Sequence, residues 1–177
     1  MSGNKAVLVI DMIYDFLYGK LACKRCVGII PRLQYVLEKA REKEFQVIYV
    51  CDAHEKDDRE FDKWPQHAVK GTPGAQIIDE LKPGMKDIVV EKTRYSCFYN
   101  TRLDKLLHKL KVDELYLTGI LTDICVQHTA ADAFYRNYKS TVLSDCTESL
   151  NKTDRNNSLM FMKQMYNTKI KQSGDTL

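Results

Sequence analysis

Five short runs along the chain are almost unbroken in apolar character: residues 6–10 (AVLVI), 46–51 (QVIYVC), 87–91 (DIVVE), 114–118 (ELYLT) and 140–144 (STVLS). Runs of this length and continuity predict strands buried on both faces, as in a covered parallel sheet. A weaker run at 168–172 predicts a sixth strand. Between the runs, apolar residues recur at helical spacing and predict helices over 29–43, 102–110, 123–137 and 154–166. In the first of these Ile30, Leu33, Val36, Leu37 and Ala40 make one stripe. Strand–helix alternation at this spacing predicts right-handed βαβ crossovers. The expected fold is a three-layer α/β/α domain, with a doubly wound parallel sheet of five to six strands. No internal repeat or low-complexity segment interrupts it, so a single domain over 1–177 is expected. The longest stretch read as lacking regular structure is about 52–74, rich in charges and histidines and holding the one Trp. A loop of that length in a compact domain is usually functional.

Composition narrows the class of partner. The 27 Lys and Arg exceed the 24 Asp and Glu by three. That excess is slight and dispersed, unlike the basic patch of a nucleic-acid binder. The apolar run at the N-terminus is five residues long and ends at Asp11. A membrane span needs about 20 apolar residues, and a secretory signal a longer core. A cytoplasmic protein with no membrane and no nucleic-acid partner is therefore expected. Its six cysteines (23, 26, 51, 97, 125 and 146) are then expected as free thiols.

In an open parallel sheet, ligands bind beyond the carboxyl ends of the strands. The predicted ends bring Asp11, Asp52, His54, Lys92 and Cys125 to one rim. Thr122 is a plausible N-cap, which would place Cys125 at the third helical position. There the helix's partial positive charge favours thiolate, and free backbone N–H groups could hold an oxyanion. Asp11, desolvated at the end of an apolar strand and close to an ammonium, suits proton transfer with a thiol. A buried structural cysteine, a turn aspartate and a solvated lysine are the plainer readings. It is their convergence on one rim that favours chemistry. Asp52-Ala-His54 puts two metal-capable side chains on one face of an extended segment, and Glu60 and His67 follow in the same loop. These donor types suit one divalent ion, Zn²⁺ first, with Fe²⁺ and Mn²⁺ open.

Cys23 and Cys26 form a C-x-x-C with no second pair to complete a zinc site, and no strand-then-helix context of thioredoxin type. They are expected to be incidental thiols. Cys51, Cys97 and Cys146 are expected in packing, and His108 and His128 on helices away from the rim.

VLVIDMIYDF at 7–16, DAH at 52–54, WPQH at 64–67 with GTPGA at 71–75, EKTRYSCF at 91–98 and GILTDICV at 119–126 occur in this order. In these pieces the chain resembles the isochorismatase-like cysteine hydrolases, and within them the nicotinamidase (pyrazinamidase) branch. The resemblance implies a catalytic triad of Asp11, Lys92 and Cys125, and metal ligands at Asp52, His54 and His67, with Glu60 binding directly or through water. It implies ring-stacking side chains at Phe16, Trp64 and Tyr95, an oxyanion hole from the Leu121 and Cys125 N–H groups, and a cis peptide between Ile120 and Leu121. The implied activity is hydrolysis of nicotinamide to nicotinate and ammonia through a cysteine thioester, in NAD salvage, by a homo-oligomer. The alternatives are a metal-independent relative acting on another small amide, an N-carbamoyl compound or a vinyl ether, and a non-catalytic protein that kept the fold. The short tail after the last helix and the C-x-x-C depart from the family pattern.

Overall fold

A computed structural model describes residues 4–177; the first three residues of the expected domain lie outside the described part. Six parallel strands are arranged in the order β3-β2-β1-β4-β5-β6. They are β1 (Asn4–Ile10), β2 (Gln46–Asp52), β3 (Ile88–Lys92), β4 (Val112–Ile120), β5 (Lys139–Glu148) and β6 (Lys169–Lys171). Each run of the sequence lies in a strand to within one residue at either end, and β4 and β5 extend well past their apolar cores. The sixth strand is only three residues long, as the short tail allows.

The continuous character of β1 has a direct cause. Ala6 through Ile10 are all fully buried. Val7 and Val9 pack on one face of the sheet with Leu33, Val36 and Leu37 of helix α3 (Ile30–Glu42). The short helices α1 (Tyr14–Leu17) and α2 (Lys24–Val27) lie on that face too. Ala6, Leu8 and Ile10 face the other way. They pack against α4 (Leu103–Lys109), α5 (Gln127–Tyr135) and α6 (Lys152–Tyr166) through Leu103, Leu107, Ala130, Ala133, Leu159 and Met162. Alternate side chains of a strand point to opposite faces, so one strand serves both layers. Burying each Leu of the α3 stripe contributes about 1.5–3 kcal/mol.

Two expectations are corrected. The β2–β3 crossover has no α-helix. Residues 53–87 make only the 3-10 turns Arg59–Asp62, Pro73–Ala75 and Asp79–Leu81, so the irregular stretch is longer than 52–74. Strand β3 is then an edge strand covered on one face: Val90 and Lys92 are buried while Val89 and Glu91 are exposed. The second correction concerns Cys23 and Cys26, which are disulfide-bonded and not free thiols. Cys23 is the N-cap of α2, and one helical turn brings Cys26 back to it, with a Cα–Cα separation of 5.3 Å. The pair does open a helix, though one that follows another helix. Cys51, Cys97, Cys125 and Cys146 are free and buried.

Candidate active site

The strand order reverses between β1 and β4, and the crevice at such a switch point is where ligands bind in open α/β sheets. Asp11 follows β1 with φ 55°, a left-handed turn that an aspartate tolerates. Its Oδ1 accepts the Asp52 N–H at 2.9 Å. Beside it, Gly119 has φ 97°, and a Cβ there would collide with the Ile10 backbone, so β1 and β4 meet this closely only at a glycine. The Ile120–Leu121 peptide is cis. One π-helical turn, Thr122–Val126, then leads into α5. The Leu121 carbonyl takes the N–H groups of both Ile124 and Val126 at 3.1 Å, which skips that of Cys125.

Thr122 does not cap this turn. Leu121 occupies the N-cap position, and the Thr122 hydroxyl pairs with that of Thr147 at 2.8 Å. Cys125 is therefore the fourth residue of the turn and not the third.

Lys92 ends β3 and is fully buried with its ammonium among three groups of this corner. Its Nζ lies 2.8 Å from Asp11 Oδ2, 2.5 Å from Asp52 Oδ1 and 3.7 Å from Cys125 Sγ. Burial alone would lower its pKa, but the Asp11 and Asp52 charges outweigh that and hold it well above the ordinary lysine value. Burial, reinforced by the Asp52 charge and opposed by Lys92, pushes Asp11 up to about 6. Asp52 is also buried, yet Lys92 and His54 bring it below the usual carboxylate range. The contact of Asp11 Oδ2 with Lys92 is an ion pair without hydrogen-bond geometry, so this oxygen is open to accept a proton. Burial drives the Cys125 thiol well above its ordinary value; Lys92 opposes this, while Asp11 and Asp52 add to it.

Asp52, His54, Glu60 and His67 place one donor atom each within 4.8 Å of one another. Both imidazoles are set as acceptors toward that point. His54 Nδ1 donates to Asp58 Oδ2 at 3.1 Å, and His67 Nδ1 donates to the Pro65 carbonyl at 2.7 Å. His54 Nε2 is buried without a hydrogen-bond partner. Two imidazole nitrogens, one of them the orphaned His54 Nε2, and two carboxylates fit a divalent cation. Phe61 packs on both rings, at 5.4 Å from His54 and 5.6 Å from His67 between centroids.

Both groups open into one cavity of about 300 Å³. Asp11, Asp52, Glu60, His67 and Cys125 line it, as do Phe16, Trp64, Tyr95 and Leu121. Trp64 Nε1 donates to the Tyr95 hydroxyl at 2.9 Å, which joins two of the aromatic walls. Phe16 lies 5.3 Å from the His67 ring. His128 is nearer the rim than expected, packed 5.3 Å from Tyr95. The expected site residues therefore meet in one place.

Three residues that matter here receive no role from the sequence pattern. Asp58 adjoins Asp57, and only the fold selects the one that reaches His54. Phe61 reads as an ordinary loop aromatic. Asp15 is buried and accepts the Ala68 N–H at 2.8 Å, next to His67.

Residues 5–172 match the family described as the Isochorismatase domain. The chain belongs to the isochorismatase family. The uncharacterized family protein YaaI of Bacillus subtilis is 32% identical over 164 residues, covering 92% of this chain and 90% of YaaI. N-carbamoylsarcosine amidase from Thermoplasma acidophilum is 37% identical with a TM-score of 0.91, covering 96% of each chain. The pyrazinamidase of Pyrococcus horikoshii, solved in complex with zinc, is 29% identical with a TM-score of 0.90, covering 96% of this chain and 99% of that one. This member of the isochorismatase family is a hydrolase by kinship, and its amide-hydrolysing relatives share its sheet and crossovers. Among the described residues no helix is long and apolar enough to cross a membrane.

Proposed function

We propose that this chain is a metal-dependent amidase that hydrolyses nicotinamide to nicotinate and ammonia through a thioester on Cys125. The observation that carries the reading is the four-donor cluster at Asp52, His54, Glu60 and His67, which shares one cavity with Cys125. Lys92, touching both Asp11 and Asp52, links the two groups. A divalent cation held by the four donors would supply an electron-pair acceptor for a ring nitrogen of the substrate. Zinc is the first choice.

The chain's own residues do the remaining work. Phe16, Trp64 and Tyr95 hold the aromatic ring and exclude water. Asp11 takes the Cys125 Sγ proton as the sulfur attacks the carboxamide carbon. The Leu121 and Cys125 N–H groups receive the oxyanion. Collapse of the adduct breaks the C–N bond, and Asp11 passes its proton to the departing ammonia. Asp11 then deprotonates a water that attacks the thioester, which releases nicotinate and returns the thiol. Lys92 keeps its proton throughout and balances the charge on Asp11.

A second reading, hydrolysis of an N-carbamoyl compound, is favoured by the 37% identity to N-carbamoylsarcosine amidase against 29% to the pyrazinamidase. One assay separates them: ammonia release from nicotinamide and from N-carbamoylsarcosine by zinc-loaded protein. Turnover of nicotinamide with a chelator-sensitive KM supports the first reading. Turnover of the carbamoyl compound alone overturns it in favour of the second.

A further inference from the structure

The two histidines of the donor cluster are held in different ways. His67 leans on a backbone carbonyl two residues away, which no substitution removes. His54 leans on a side chain, Asp58, which is itself held by two other groups. Asp58 Oδ1 accepts the Glu60 N–H at 2.8 Å. Arg94 Nη1 donates to both Asp58 oxygens, at 2.9 and 3.1 Å, and the same nitrogen lies 3.7 Å from Glu60 Oε2. Arg94 stands two residues after Lys92 and directly before Tyr95. One guanidinium thus ties the end of β3 to the loop that carries His54 and Glu60.

The chemistry of this arrangement is specific. A carboxylate on Nδ1–H fixes the tautomer and the ring plane, leaves the lone pair on Nε2, and raises the basicity of that nitrogen. Arg94 also brings one positive charge within reach of both the Asp58 and the Glu60 carboxylates.

We propose that Asp58 and Arg94 are positioning residues of the metal site. Asp58 fixes the His54 ring with Nε2 toward Asp52, Glu60 and His67, and Arg94 acts through Asp58 to hold that loop in register with the catalytic strand. This rests on the reading that the cluster takes a divalent cation.

The test is the zinc affinity of the full chain, measured in competition with a chromophoric chelator, for the wild type, Asp58→Ala, Asp58→Asn, Arg94→Gln and the double variant Asp58→Ala/Arg94→Gln. Asp58→Ala should weaken zinc binding about 10–100-fold. Asp58→Asn should recover part of that loss, because an amide oxygen still accepts from His54 Nδ1. Arg94→Gln should cost less than Asp58→Ala, and nothing further when Asp58 is already Ala. Thermal melting of the metal-free variants reports structural damage separately. A role in folding alone would lower that melting temperature and leave zinc affinity unchanged, which would overturn the proposal. Should Asp58→Ala fail to fold, wild-type zinc affinity in Asp58→Asn and Arg94→Gln would overturn it equally. Full additivity in the double variant would overturn the route through Asp58. A wild-type protein that binds no zinc would overturn the metal reading and these roles with it.

Discussion

The two halves of the candidate site are built by different means. Asp11, Lys92 and Cys125 stand at or just past the ends of β1, β3 and β4, whose positions follow from sheet register and two buried layers. Glu60, Trp64 and His67 hang from a crossover with no α-helix, held by single hydrogen bonds between loop segments. His54 N–H donates to the Ala68 carbonyl, and Lys70 N–H to the His54 carbonyl, each at 2.9 Å. The Thr72 hydroxyl donates to the Val69 carbonyl at 2.7 Å. The buried Asp15 carboxylate receives the Ala68 N–H and has Gly74 packed against it. A corner set by a sheet moves only if the sheet does. A loop set by polar contacts can open on its own, since local unfolding follows low apolar burial.

The largest effect expected of one change falls in the sheet-built corner. Cys125→Ala should lower turnover at least about 10⁴-fold, as loss of a nucleophile does. Bound metal, measured by elemental analysis, should stay at wild-type stoichiometry, because the donors belong to the other half. Loss of metal along with activity would show that the two halves are not separable.

Lys92→Met probes the same corner through stability. It would strand the buried Asp11 and Asp52 carboxylates without their shared cation. Removing one partner of a buried pair costs about 3–5 kcal/mol. Urea unfolding of the metal-free protein should show that loss across the whole domain, and a wild-type midpoint would contradict the account of the corner.

A change in the loop should behave differently. A Cβ at Gly74 would run into the Asp15 carboxylate. Gly74→Ala should then cost about 1–3 kcal/mol of overpacking strain. Hydrogen exchange should quicken at the Ala68 amide while the amides of β1 and β4 keep their protection. Uniform quickening would mean that the loop and the sheet unfold as one unit.

The smallest effect concerns the cavity wall that carries Cys23. Thiol titration in denaturant should count four free thiols before reduction and six after it. Six before reduction would remove the disulfide from the native description.

Much of this was legible in the chain alone where one local rule sufficed. The α3 stripe at Ile30, Leu33, Val36, Leu37 and Ala40 is the set the helix buries, because helical periodicity selects a face without reference to the rest of the protein. The runs at 6–10 and 46–51 are strands because burial on both faces leaves no room for polar alternation. Since ligands gather at strand ends, Asp11, Lys92 and Cys125 could be listed together before any coordinates. Asp52 and His54 stood in that list too, and Glu60 and His67 follow in the same loop.

Other features depended on partners that no local pattern names. The choice of Asp58 over Asp57, the Trp64–Tyr95 link across 31 positions and the Asp15–Ala68 bond across 53 arise only when the crossover packs against the segments that follow β1 and β3. The state of Cys125 is of the same kind. Its place at a helix start favours a lowered thiol pKa, but burial beside Asp11 and Asp52 pushes that pKa up, and burial is a property of the assembled layers. The edge position of β3 also came from the sheet order, which left one face of that strand in water. Periodicity is local and survives in the sequence; desolvation and long-range pairing are properties of neighbours, and the neighbours are supplied by the tertiary structure.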